Sequence, residues 1–220
     1  MSKAISLPQA VEMIPDGATL MIGGFMGCGT PSRVIQELVR QGRKDLTVIA
    51  NDTARPGVGI GRLIDARLVR RLVATHIGTN PETQRQMIAG EIDVELCPQG
   101  TFAERIRAAG FGLGGVLTPT GVGTSVAEGK RTVEVNGNTF LLEEPIKADF
   151  ALVAAHRADW QGNLTYSLTA RNFNPVIAMA AGTVIAEAAE IVPTGAIPPD
   201  EVVTPHVLVD HLVEKEAFNG

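Results

Sequence analysis

Four glycines fall within seven positions at Gly23, Gly24, Gly27 and Gly29, with Phe25, Met26 and Cys28 between them. The surrounding segment, residues 16–31, reads Asp-Gly-Ala-Thr-Leu-Met-Ile-Gly-Gly-Phe-Met-Gly-Cys-Gly-Thr-Pro. An apolar run over 18–22 empties into the glycines, and Pro31 opens an apolar-periodic stretch. That order predicts a buried strand, a bare-backbone loop and a helix start, an arrangement in which main-chain N–H groups face an anion. Glycine permits positive φ and lets a ligand approach the backbone closely. A plain tight turn would need fewer glycines, so a loop facing a phosphate-bearing ligand is the expectation.

Two uncharged amides are the other candidates. Asn51 follows an apolar run over 46–50, where a parallel strand should end at the ligand-binding edge of an open sheet. An amide there can donate to a carbonyl oxygen gaining negative charge, a contribution of about 3 kcal/mol. It can equally close the strand in an Asx turn. Gln99, after a strand expected over 92–97, has the same two readings. Cys28 near a helix start could be an activated thiol, but no histidine lies close in sequence and a small space-filling residue is expected. His76, His156, His206 and His211 show no metal-ligand spacing, so no metal is assigned.

The elements that must position these groups follow from pattern. Ser6 and Pro8 suit the start of a short helix that carries Val11 and Ile14 inward and stops at Pro15-Asp16-Gly17. Thr30 is the expected N-cap of the helix after the glycine loop, with Pro31 first, Val34, Ile35, Leu38 and Val39 as its apolar face, and Gly42 as stop. A strand over 69–75, a helix over 81–89 ended by Gly90, and a helix over 101–107 with Thr101 and Glu104 as a capping box continue the alternation. Strands alternating with helices predict the α/β class, an open, largely parallel sheet covered by helices. The second half differs. Residues 110–123 hold six glycines, and 132–142 read as a hairpin turning at Asn136-Gly137. An antiparallel, glycine-rich insertion near 110–145 is expected, then strands over 150–154 and 183–186 with a short helix over 175–181 between them.

At 220 residues a single domain over 1–220 is expected. A net charge of −5, with basic residues paired at most as in Arg43-Lys44 and Arg70-Arg71, argues against a nucleic-acid partner. No window approaches the roughly 18 apolar residues of a membrane span, and the opening Met-Ser-Lys-Ala-Ile-Ser-Leu-Pro lacks the apolar core of a secretory signal. Cys28 and Cys97 lie far apart and form no disulfide framework, so a reducing, cytoplasmic location is expected.

The pattern over 16–31, Asp-Gly, two any, three apolar, Gly-Gly-Phe, three any, Gly, any, Pro, resembles the signature of α-type subunits of family I coenzyme A transferases. Further segments resemble the family in family order: Ile49-Ala-Asn-Asp-Thr53, Gly78-Thr-Asn-Pro-Glu82, the stretch 98–107, the stretch 117–124 and Ala170-Arg-Asn-Phe-Asn174. The chain is most similar to α subunits of the acetate/acetoacetate and butyrate–acetoacetate CoA-transferases. That resemblance implies ping-pong transfer of CoA between an acyl-CoA and a free carboxylate, with acyl-CoA as substrate and no tightly bound cofactor. It places Asn51 beside the thioester carbonyl with Gln99 as a second substrate contact, and makes the stretch from Gly23 to Gly29 the CoA-facing loop. Position 28 is free in the family pattern.

The nucleophile of the family is a glutamate in a Glu-Asn-Gly context, carried on a β subunit or the β half of a fused chain. This sequence contains no Glu-Asn-Gly: Asn136-Gly137 follows Val135, Asn219-Gly220 follows Phe218, and a fused enzyme would need more than these 220 residues. The implied partner is a β subunit in an α2β2 or larger assembly, with this chain inactive alone. The glycine density over 110–123 points to a segment that helps form the cleft shared with that partner.

Two other classes fit parts of the chain. Gly27-Cys-Gly29-Thr-Pro-Ser32 is one residue short of a dinucleotide fingerprint, and Asp52 follows where a ribose-binding acid of an NAD-dependent dehydrogenase would sit. Pro31 and Ser32 stand against it. A non-enzymatic module sensing a CoA-like or phosphorylated ligand is the other, although 220 residues leave little room for an accompanying DNA-binding domain.

Overall fold

The structure is a computed structural model that describes residues 3–213. Its first half runs β1 (Ala4–Ile5), α1 (Leu7–Glu12), β2 (Thr19–Ile22), α2 (Ser32–Gln41), β3 (Leu46–Ile49), α3 (Gly61–Asp65), β4 (Val69–Ala74), α4 (Pro81–Ile88), β5 (Asp93–Leu96) and α5 (Gln99–Gly110). There follow β6 (Val116–Thr118), β7 (Thr132–Val135), β8 (Asn138–Glu143), β9 (Ala148–Asp159), β10 (Leu164–Thr165), α6 (Asn174–Ile177), β11 (Ala181–Val192) and β12 (His211–Val213).

The main sheet has the order β1-β12-β11-β9-β2-β3-β4-β5 and is parallel throughout, apart from β10 running antiparallel to β9. From β2 the chain winds outward through β3, β4 and β5, whereas from β9 it winds the other way through β11 and β12. The reversal leaves a crevice at the carboxyl ends of β2 and β9, the place where open α/β sheets bind ligands. Strand alternation sends Leu20, Ile22, Val48 and Leu72 to one face, where they pack with Val11, Ile35, Leu38 and Leu63 of the helices. Met21, Ile49 and Val73 go to the other face and meet Phe102, Ile106 and Ile177 from α5 and α6. Both faces are covered, as the continuous apolar runs require.

The insertion forms a separate three-stranded antiparallel sheet, order β6-β8-β7. Its hairpin turns at Asn136 and Gly137 with φ of 51° and 76°, the left-handed pair that a two-residue turn between twisted strands demands. Several glycines of 110–123 are accounted for within the chain: a Cβ on Gly110 would press on Met179 and one on Gly121 on Val126. Gly112, Gly114 and Gly123 have no neighbour within 4 Å of an added Cβ.

Several boundaries differ from expectation. Thr30 does not cap α2; Pro31 occupies that position without a side-chain bond. The cap arrives from β11 instead, where Glu187 Oε2 accepts the amides of Arg33 at 2.9 Å and Val34 at 3.0 Å. α5 starts at Gln99 behind Pro98, so Thr101 falls inside its first turn, its buried hydroxyl lacks a partner among the described residues, and Glu104 pairs with Arg107. β9 and β11 each extend to 12 residues, and α6 is shorter than the expected helix.

The turn from β9 to β10 is organised by Asp159, which is 2% exposed. Its Oδ1 accepts the amides of Gln161, Gly162 and Asn163 at 2.9–3.0 Å, and Oδ2 accepts Asn163 Nδ2 at 2.8 Å. Burial pushes the carboxyl up, but the bonds from the Asn163 side chain and the three amides outweigh it and hold the group below its ordinary 3.8. A depressed carboxyl contributes stability that is present above 3.8 and lost as the pH falls through the lower folded value. Asp159→Asn is therefore expected to cost about 1–3 kcal/mol near neutral pH and to flatten the acid limb of stability. Thermal melts of both proteins across the acid range check this; parallel acid limbs would contradict it.

Candidate functional site

The loop after β2 and the segment 167–174 meet at the crevice. Phe25 and Cys28 close a tight turn, Phe25 N donating to Cys28 O at 3.0 Å and Cys28 N returning to Phe25 O at 2.9 Å. Gly23 N donates to Leu152 O, Gly24 N to Asn172 Oδ1 and Met26 N to Asp52 Oδ2. From across the crevice, Asn172 Nδ2 holds Cys28 O and Asn174 Nδ2 holds Gly29 O, each at 2.9 Å. The glycines permit this clamp: a Cβ on Gly23 would overlap Asn174 Oδ1, one on Gly24 would overlap Thr30 Oγ1, and one on Gly29 would come 2.5 Å from Ala170 O.

The open anion cradle expected here is therefore not present in that form. Five loop amides are engaged within the chain, and the first amides of α2 already face the Glu187 carboxylate. Only the Gly27 and Gly29 amides lack a partner among the described residues. What the loop presents outward is the Phe25 ring, 46% exposed on the wall of a cleft. Cys28 is exposed at the turn, with Sγ 3.5 Å from Thr169 Oγ1, and fills no interior space.

Asn51 and Gln99 are brought together. Gln99 Nε2 donates to Asn51 Oδ1 at 2.6 Å, Thr75 Oγ1 donates to the same oxygen at 3.0 Å, and Asn51 Nδ2 donates to Asp52 Oδ2 at 2.7 Å. Asn51 is 2% exposed, whereas Gln99 at the start of α5 is exposed and lines the cleft. The Asx turn does form, made by the neighbour: Asp52 Oδ1 accepts Ala54 N at 2.7 Å. Each amide keeps one N–H beyond these bonds.

The cleft has a volume of about 540 Å³. Ala103, Phe173, Val176 and Met179 give it apolar walls, and Arg107 and Arg171 bring positive charge. Phe173 is braced edge-on against Phe102, with ring centroids 5.6 Å apart. Apolar walls beside cationic and amide groups suit a short acyl chain attached to an anionic carrier. The clamp residues Asn172 and Asn174 and the cationic Arg171 were not singled out from sequence as site residues. Two asparagines around Phe173 and before Pro175 were the available signal. Among the described residues no group of three or more His, Cys, Asp or Glu could hold a metal, and no helix is long and apolar enough to cross a membrane.

A family model described as coenzyme A transferase matches residues 5–215. The chain belongs to the coenzyme A transferase family. It is 56% identical over 212 residues to the acetate CoA-transferase subunit alpha of Escherichia coli (strain K12), covering 96% of each chain. To the acetoacetyl-CoA:acetate/butyrate CoA transferase alpha subunit of Clostridium acetobutylicum it is 47% identical over 216 residues, covering 98% of this chain and 99% of the relative. Its fold matches an acyl-CoA transferase of E. coli O157:H7, solved as a thioester complex with CoA, with a TM-score of 0.86 at 24% identity. That match covers 97% of this chain and 47% of the other, so this chain spans about half the length of that enzyme.

Membership in the coenzyme A transferase family agrees with the fate of the dehydrogenase reading. Asp52 is 4% exposed and accepts from Met26 N, Ala54 N and Asn51 Nδ2, which leaves its carboxylate committed rather than open to a ribose. Glu187 occupies the helix start that a pyrophosphate would need.

Proposed function

We propose that this chain is the α subunit of a short-chain acyl-CoA:carboxylate CoA-transferase of the acetate/acetoacetate/butyrate type. It works in the cytoplasm with a separate β subunit, in an α2β2 or larger assembly. The observation that carries this reading is near-full-length likeness to two named α subunits, joined to the Gln99–Asn51 amide pair, whose Gln99 end lines the cleft. In the reaction, a glutamate of the β subunit attacks the thioester carbonyl and expels CoA thiolate, leaving an acyl-glutamyl anhydride. The thiolate then attacks the glutamyl carbonyl, which releases the first carboxylate and leaves CoA on the glutamate. An acceptor carboxylate reverses the sequence.

This chain's part is to bind and polarise. The spare N–H groups of Gln99 and Asn51 donate to the carbonyl oxygen as negative charge builds on it. The loop from Gly23 to Gly29 faces CoA through Phe25 and the Gly27 and Gly29 amides, and the apolar walls take the acyl chain. One methylene in such a pocket discriminates by about 1–3 kcal/mol, so acids differing by two carbons are separated mainly by wall shape.

The test is transfer from acetoacetyl-CoA to acetate, by the chain alone and after co-expression with its neighbouring gene. Turnover only in the second preparation is expected. Turnover by the chain alone would overturn the division of labour, and silence in both would overturn the substrate class.

A further inference from the structure

Asp52 has no assigned part in the chemistry, yet its hydrogen bonds decide how the amide pair is presented. Its carboxylate sits between two glycine-loop and strand-end elements, with Met26 N on Oδ2 at 2.9 Å and Ala54 N on Oδ1 at 2.7 Å. Asn51 Nδ2 is the third donor, on Oδ2 at 2.7 Å. An ionised carboxylate can only accept, so Asn51 must turn its NH2 end toward Asp52. Its Oδ1 is thereby directed at Thr75 and Gln99, and because that oxygen can only accept, Gln99 must offer Nε2. The polarity of the relay is set from its buried end.

The geometry points to Asp52 as the positioning residue that fixes the donor orientation of the Asn51–Gln99 pair. This rests on the reading of that pair as the contact to the thioester carbonyl. Turned over, Asn51 would present a carbonyl oxygen to developing negative charge, and Gln99 would lose its anchor. Met26 N ties the same carboxylate to the glycine loop, so one buried group holds the amide pair and the Phe25 turn in common register.

Asp52→Asn tests this in the complex with the β subunit. The new amide puts a donor against either Ala54 N–H or the Met26 N–H and Asn51 Nδ2 pair, and Asn51 is released to turn over. The expected result is a fall in kcat of about ten- to a hundredfold, with KM for acyl-CoA shifted less. Gln99→Glu alone sets a carboxylate against Asn51 Oδ1, a clash that Asp52 locks in place. Combined with Asp52→Asn, the freed Asn51 can turn its NH2 to the new carboxylate. The clash is relieved but neither amide donor is restored, so activity is expected to stay low in the double variant. Its thermal unfolding shows the coupling: it should lose clearly less stability than the two single losses summed. Stability losses that simply add would overturn the proposal. Unchanged kcat in Asp52→Asn beside a loss in Asn51→Ala would overturn it alone; unchanged kcat in both would overturn the reading of the amide pair on which it rests. If Asp52→Asn fails to assemble, Asp52→Ser keeps an acceptor in less volume and carries the same cycle.

Discussion

Asn51→Ala is expected to lower kcat of the assembled enzyme about a hundred- to a thousandfold, the scale of losing one preorganised oxyanion donor. The acyl-CoA KM should move far less, because the donor matters most once charge has developed on the carbonyl oxygen. The strand end should survive the change. Thr75 Oγ1 keeps its bond to the Asn51 main-chain oxygen at 2.9 Å, and Asp52 keeps its two amide donors. Steady-state kinetics against acetoacetyl-CoA and acetate, with thermal melts as a check on folding, read the effect. An unchanged kcat in a well-folded variant would remove Asn51 from the reaction.

Gly23→Ala is the second large expected effect, and its cause is packing. The added methyl would overlap Asn174 Oδ1, and Asn174 is 0% exposed with nowhere to go. That side chain accepts Ala154 N and donates to Gly29 O and Ala170 O, each at 2.9 Å. Moving it breaks the clamp between the glycine loop and the 170–174 segment. Overpacking and stranded buried polar groups together should cost about 3 kcal/mol or more, and activity should be lost with the cleft wall. Gly100→Ala is the contrasting change: it lies in the first turn of α5, nothing stands within 4 Å of its added Cβ, and neutral or slightly raised stability is expected. Denaturant unfolding of both proteins checks the contrast; equal effects would mean the Asn174 contact yields freely.

The sequence carried much of this arrangement because its local signals agree with the fold. Glycines between an apolar run and Pro31 marked the strand–loop–helix turn, and Asn51 lies two residues past the end of β3, just after its run of apolar residues. The helix start at Ser6 and Pro8 and the Asn136-Gly137 turn were legible for the same reason: their partners lie within a few residues. The Thr101–Glu104 pair failed locally, because α5 begins at Gln99 rather than after Thr101; the other failures come where the partner is distant. The cap of α2 is Glu187, more than 150 positions away, which no local window contains. The glycines of the loop face Asn172, Asn174 and Ala170, so their reason is internal contact as much as any ligand. β9 and β11 run far past their apolar centres because Arg157 and Glu190 still pair along the sheet while breaking the apolar pattern. β1 and β12 pair over two residues through neighbours at opposite chain ends, a contact with no local signature.

The central claim is a division of labour: this chain orients the thioester and its partner supplies the nucleophile. Intact-mass measurement of the assembled enzyme after exposure to acetoacetyl-CoA, with no acceptor acid present, reads it directly. A CoA adduct on the partner polypeptide, with this chain at its unmodified mass, is the predicted result. An adduct on this chain would contradict the account and place the reactive carboxylate here.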